Sequence, residues 1–286
     1  MANNYEIIIE NIIRWGKSSE EVLGIITLGS RSRKDHEADE YSDLDMAIIV
    51  QDPPYYLATD EWLSVIGKYH ISFDEPSFDG CKSRRILFDG ALDVDFIFMP
   101  ESVAASGFSG EAAMILKRGF KVLLDKIALQ EAVSQVILAK DPYIMLSEKE
   151  FHNIVNDFWF HAMWTTKKLK RGELWTAKNC LDMYMKGRLL TVIEIYAHSI
   201  HGSDYDTWYG GRFMEEWAEP WIMKNLEKCF SHYVGEDMKA ALLQTMDLFR
   251  AISMEIAEKN NFSYPAKEDA YSTEWVNSML CNGENL

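Results

Sequence analysis

No stretch of the chain approaches the roughly 18 uninterrupted apolar residues that a membrane-spanning helix requires. The opening Met1-Ala-Asn-Asn-Tyr-Glu lacks the basic and apolar regions of a signal peptide. Both absences point to a cytoplasmic protein with no membrane partner. Cysteine is sparse: Cys81, Cys180, Cys229 and Cys281 are scattered, none forms a C-x-x-C, and no Cys/His group has zinc spacing. The expectation is free thiols without a disulfide framework. Basic residues are also in deficit, with 29 Lys and Arg against 45 Asp and Glu, a formal charge of −16. Such a chain repels nucleic-acid phosphate unless it gathers its cations in one groove, and it suits a cationic partner better. Internal repeats and low-complexity segments are absent.

What is present is ample core material, 48% hydrophobic and 13% aromatic over 286 residues, enough for two modest domains. Tyr5, Ile8, Ile9, Ile12, Ile13 and Trp15 recur at helical spacing over residues 4 to 19. Val22 to Leu28 and Leu44 to Val50 read as strands, the second stopped by Asp52-Pro53-Pro54. A short helix follows Thr59 or Asp60 as its N-cap, and residues 70 to 83 read as loop. Arg84 to Phe88 and Leu92 to Met99 read as strands joined by the Asp89-Gly90 turn, with one further strand over 119 to 125. Lys140 to Met145 reads as a linker. Beyond it, Ser147-x-x-Glu150 has capping-box form, and helices are expected to about Lys170 and over 173–200, 212–231 and 235–259. The fold class expected is α+β, a mixed small sheet with helices over residues 1–142 and an all-helical domain over 143–286.

The chemistry concentrates between residues 25 and 50. An apolar run ends in Gly29-Ser30, a turn whose backbone N–H groups and hydroxyl can cradle phosphate. The chain re-enters a strand through Asp43-Leu44-Asp45. Two carboxylates two residues apart on a strand share one face. Mg²⁺ takes oxygen ligands, combining a few carboxylates with substrate phosphates and water, and phosphoryl or nucleotidyl transfer needs such carboxylates. Asp95 on a later strand is the best third candidate; Asp93 lies on the same face, and periodicity does not choose between them. The set Asp43, Asp45 and Asp95 is read as catalytic and metal-binding, acting on a nucleoside triphosphate.

These residues resemble the nucleotidyltransferase superfamily that includes DNA polymerase β. More closely, Thr27-Leu-Gly-Ser-Arg31, Tyr41-Ser-Asp-Leu-Asp45, Asp60 to Gly67, Leu87-Phe-Asp-Gly90 and Asp95-Phe-Ile-Phe-Met-Pro100 look like the aminoglycoside 6-adenylyltransferases, also called streptomycin adenylyltransferases. Asn156 to Phe160, Ala177 to Lys186, Leu189-Leu190 and Tyr264-Pro265 carry the likeness through the helical half. The resemblance implies a polymerase β-like fold and transfer of AMP from ATP to a hydroxyl of an aminoglycoside, with release of pyrophosphate. It implies that Gly29 and Ser30 hold the triphosphate, that Asp43 and Asp45 bind Mg²⁺, and that Asp95 completes the metal site or acts as general base. It also directs Lys186 toward the triphosphate. Two departures stand out: the connection from Arg31 to Glu37 is highly charged, and Asp93 is an extra acid before Asp95.

Arg31 follows the Gly-Ser turn and is a candidate for a phosphate contact. Asp182 stands one turn before Lys186, so it either forms an i,i+4 ion pair or meets a cationic acceptor. Trp159, Trp164 and Trp175 sit at spacing that suits a core, yet an indole also stacks on sugars and guanidinium groups; Trp159 is taken with Asp182 as the acceptor side. His152, His161, His198 and His201 form no metal cluster. Two rival readings remain: another acceptor (a lincosamide, a protein side chain or an RNA end), or a nucleotide-binding module without catalysis.

Overall fold

The computed structural model describes residues 2–33, 35–138 and 146–281. Lys34 in the charged connection, the linker over 140–145 and the expected boundary at 142/143 lie outside the described residues. Contacts group the chain into two compact units, Met1–Asp141 and Pro142–Leu286. Among the described residues no helix is long and apolar enough to cross a membrane.

The first unit is built on six strands, β1 (Val22–Thr27), β2 (Leu44–Val50), β3 (Tyr69–Pro76), β4 (Lys82–Phe88), β5 (Leu92–Pro100) and β6 (Lys121–Asp125). Their order is β3-β4-β5-β2-β1-β6. β2 and β5 are parallel, and every other pair is antiparallel. The sheet is thus mixed, as the α+β reading expects. Helix α1 (Ala2–Ser18) covers one face with α2 (Pro53–Ala58) and α3 (Leu63–Ile66), burying Ile12, Trp15, Trp62, Phe96 and Phe98. Helices α4 (Glu101–Ala105), α5 (Gly110–Arg118) and α6 (Leu129–Leu138) cover the other, over Ala47, Ile49, Ile97 and Met99. Even-numbered residues of β2 and β5 therefore serve the first core and odd-numbered ones the second, as strand alternation requires.

Two local expectations are corrected. Residues 70 to 83 are largely strand: β3 is the sheet edge and is mostly exposed on both faces, so no hydrophobic alternation marks it. Helix α3 starts one turn later than read, capped at Trp62 without a side-chain bond. Asp60 is drawn away instead, pairing with Arg84 and accepting from the Tyr69 hydroxyl at 2.9 Å.

The second unit is helical: α7 (Glu148–Lys170), α8 (Leu174–Asn179), a π-helical turn over Cys180–Met185, α9 (Lys186–His201), α10 (Met214–Trp217), α11 (Pro220–Leu226), α12 (Gly235–Asn260) and α13 (Ala266–Cys281). The capping box forms: Glu150 N–H donates to Ser147 Oγ at 3.2 Å, and Ser147 N–H donates to Glu150 Oε2 at 2.8 Å. The expected helix over 212–231 is broken by Pro220, which opens α11, and α13 goes beyond the helices expected from sequence. Cys180 and Cys229 are free thiols; the side chain of Cys281 lies outside those described.

Candidate active site

The parallel pair β2 and β5 sets the site. Its register puts Asp45 directly beside Asp95, on neighbouring strands that lie about 4.8 Å apart. Asp43 immediately precedes β2. The odd-numbered acids share the face that α4 to α6 cover further along, so they sit where the strands emerge from that core. Register also decides between the two candidates on β5. Asp95 is 8% exposed and adjoins Asp45, whereas Asp93 is less buried and two residues nearer the strand's start.

The Gly-Ser turn is pressed against these carboxylates. Leu28 N–H donates to the Asp45 carbonyl at 2.9 Å, and the chain then turns through a 3₁₀ segment, Gly29–Arg31. Gly29 has φ +64°, and a Cβ there would stand 2.1 Å from Asp45 Oδ2. Only glycine serves, both for the left-handed backbone and for the approach of the carboxylate. The turn is held from behind. Ser32 Oγ donates to Thr27 Oγ1 at 2.8 Å, and Lys121 Nζ donates to the Arg31 carbonyl at 3.0 Å. A Cβ on Gly119 would lie 2.7 Å from Arg33 Cα. The Arg31 side chain also braces the turn, since Nε donates to the Asp43 carbonyl at 3.0 Å and Nη2 to that of Ser42 at 2.8 Å. Its guanidinium stacks 3.7 Å from the Tyr5 ring centroid. In this arrangement Arg31 ties the turn to the start of β2 rather than reaching outward.

Among the described residues of this unit, Ser30 Oγ and Asp95 Oδ1 are buried without a hydrogen-bond partner, as is Arg85 Nε, which lies in ion-pair reach of Glu75. Leaving such groups unmade costs about 1–3 kcal/mol each, which marks Ser30 and Asp95 for a ligand. Burial pushes the Asp95 carboxyl above its usual range, opposed by the Ser83 hydroxyl and Arg85 and reinforced by the charges of Glu75 and Asp43. Asp93 is raised by burial too, against the pull of Arg85. Sequence reading missed Arg85 and Glu75. Arg85 lies opposite Asp95 on β4, with Nη2 3.7 Å from Asp95 Oδ2 and Nε 2.7 Å from Glu75 Oε1. Only cross-strand pairing links them; no spacing in the chain does.

Among the described residues no three His, Cys, Asp or Glu side chains are already gathered around one point for a metal ion. The oxygen donors are nevertheless those that Mg²⁺ prefers, and Mg²⁺ commonly takes only one or two carboxylates, completing its shell with phosphate and water.

In the helical unit, Lys186 donates from Nζ to Thr245 Oγ1 at 2.9 Å and lies 5.2 Å from the Phe230 ring centroid. Burial lowers its pKa to about 8. Asp182 sits in the π-helical turn and pairs with Lys178, four residues before it, rather than with Lys186. Its Oδ1 is buried without a hydrogen-bond partner. Trp159 does not face a ligand: it is 1% exposed, edge-on to Phe158 and Phe249 in the helical core. The large apolar ring at helical spacing serves packing, and the acceptor role read for it is withdrawn. Trp175 is the exposed indole of the three, set against Tyr233.

The sequence model of the streptomycin adenylyltransferase family matches residues 2–279. Among curated relatives, an aminoglycoside 6-adenylyltransferase of Bacillus subtilis is 22% identical over 275 residues, 92% of this chain and 94% of that protein. Those of Campylobacter jejuni and Staphylococcus aureus are 21% and 23% identical, covering 91% and 84% of this chain and 91% and 86% of their own lengths. The crystal structure of an aminoglycoside 6-adenyltransferase from Bacillus subtilis aligns over 96% of this chain and 98% of that one, at 19% identity and a TM-score of 0.47.

Proposed function

Because the chain belongs to the streptomycin adenylyltransferase family and is a nucleotidyltransferase, we propose that it transfers AMP from ATP to a hydroxyl of a streptomycin-like aminoglycoside and releases pyrophosphate. The observation that carries the site assignment is the juxtaposition of Asp45, Asp95 and the Gly29 turn. In this reading Gly29 and Ser30 offer backbone N–H groups and a hydroxyl to the triphosphate. Asp43, Asp45 and Asp95 are the residues that would hold Mg²⁺, and the donor set fits an ion brought in with the nucleotide. When bound, Mg²⁺ supplies Lewis acidity at the phosphoryl oxygens.

The chain's own residues do the rest. Asp95 accepts the proton of the attacking hydroxyl through its uncommitted Oδ1. Arg31 keeps the turn at its station on β2, so its role is positioning. In the helical unit we assign Asp182 to the cationic acceptor through its unpartnered Oδ1. Lys186, with a pKa near 8, retains its charge at neutral pH and is assigned to an anionic group of the nucleotide. The −16 charge of the chain favours capture of a polycation over RNA.

The test is pyrophosphate release from ATP with a panel of aminoglycosides, streptomycin first, using purified protein. Turnover is expected with at least one member and should be lost in Asp45→Asn by at least about 10²-fold, the scale of losing one preorganised electrostatic group. Absence of release across the panel rejects the acceptor class, and undiminished Asp45→Asn turnover rejects the site.

A further inference from the structure

The face bearing the carboxylates is closed at one end by α4 to α6 and open at the other. Register extends it from Asp95 on β5 to Arg85 on β4 and Phe73 on β3. Ile71 pairs with Leu87 and Glu75 with Ser83 on that same side. Phe73 and Ile71 are 50% and 53% exposed. Edge strands are ordinarily blunted with charge, so two large apolar side chains here, Phe73 in line with Asp95 and Ile71 with Asp93, call for an occupant.

The surrounding charge says which. Glu75 and Asp93 flank Arg85, whose guanidinium lies 2.7 Å from Glu75 and 3.9 Å from Asp93. Two carboxylates and one guanidinium leave a net charge of −1, before Asp43, Asp45 and Asp95 are counted. Behind them Asp95, a buried residue with 11% of its side chain exposed, holds Oδ1 without a hydrogen-bond partner. An apolar, acid-rimmed surface continuous with an uncommitted carboxylate matches a molecule with flat ring faces, positive charge and hydroxyls. A neutral apolar ligand would leave the acids unanswered, and an anionic one would be repelled.

We infer that the open β3–β4–β5 face is an acceptor platform for a cationic aminosugar or aminocyclitol. The ring packs on Phe73 and Ile71. An ammonium or guanidinium group pairs with Glu75 and Asp93 and takes up the negative charge that Arg85 leaves. A hydroxyl is thereby presented toward Asp95. This deepens the transfer reaction proposed above and rests on it for the identity of the acceptor.

The test is calorimetric binding of streptomycin, and separately of a non-hydrolysable ATP analogue, to the full chain. Phe73→Ala and Glu75→Gln should each weaken streptomycin tenfold or more and leave the ATP analogue within twofold, while Phe73→Tyr should bind streptomycin as the wild type does. Unchanged streptomycin affinity in both disruptive variants overturns the platform and leaves the transfer reaction standing. Equal loss of streptomycin and ATP-analogue binding also overturns it, because the effect is then general. If the wild type releases no pyrophosphate with any aminoglycoside, the reaction falls. The platform survives that result only where streptomycin still binds and depends on Phe73 and Glu75; a wild type that does not bind streptomycin overturns it.

Discussion

Asp95 in the sheet and Asp269 in the helical unit are both buried aspartates facing an arginine, with 11% and 9% of their side chains exposed. Their surroundings move them in opposite directions. Asp269 receives Arg250 Nε at 2.7 Å and Nη2 at 2.8 Å, the Tyr264 hydroxyl at 2.8 Å and the Thr273 hydroxyl at 2.9 Å. Burial would raise its pKa, but these donors outweigh burial and lower it. Arg85 stands 3.7 Å from Asp95, beyond hydrogen-bond length, so burial prevails there and the pKa rises. A saturated carboxylate holds helices α12 and α13 together. An unsaturated one, kept at a distance from its counter-charge, is free to take a ligand or a proton.

The comparison can be broken most forcefully at Asp269. Asp269→Asn takes from Arg250 its buried carboxylate, leaving it only the more exposed Asp247 and the Thr273 hydroxyl, and should cost about 3 kcal/mol of stability, the lower end for a buried pair cut on one side. The folded pKa of Asp269 lies below its ordinary 3.8, so its contribution is full above that pH and fades as pH falls through the lower folded value. Denaturant melts of Asp269→Asn and wild type should therefore differ most near neutrality and converge in strong acid; equal melts at pH 7 would mean the four donors contribute nothing.

Gly29→Ala comes next. The added Cβ meets Asp45 Oδ2 at 2.1 Å in a left-handed backbone, so the turn and the carboxylate must separate. A displacement of this kind should lower turnover by about 10²-fold, with helical content by circular dichroism unchanged. Wild-type rates would show that the turn's contact with Asp45 does not matter.

The smallest effect sharpens the comparison. The raised pKa of Asp95 means that its ionised form opposes folding: the penalty is absent below pH 3.8, grows as pH rises toward the folded pKa and is complete above it. In chelator, Asp95→Asn should melt about 2–4 °C above wild type at pH 7, the equivalent of about 1 kcal/mol. That gain should disappear in acid. A lower melting temperature at pH 7 would place Asp95 with Asp269 as a structural group.

Much of the α/β unit was readable because its signals are local. Val22 to Leu28 and Leu44 to Val50 are apolar runs, Asp89-Gly90 is a turn signal, and Asp43 and Asp45 share a face by alternation alone. The Ser147-Glu150 box declared α7 within four residues. β3 was unreadable because an edge strand exposed on both faces carries no periodicity. Trp159 misled because helical spacing shows that a ring faces something, and only packing shows that it faces Phe158 and Phe249.

By itself the sequence determined the reaction-bearing elements: a glycine turn, a carboxylate pair on a strand, a third acid further on and a helical second half. These depend on neighbours within a few residues, where propensity and alternation act. Tertiary structure alone decided that Asp95 rather than Asp93 adjoins Asp45, that Arg85 and Glu75 stand across from it, and that Arg31 is turned onto the Asp43 carbonyl. The register of distant strands sets those relations, and register is an outcome of the packing of both sheet faces.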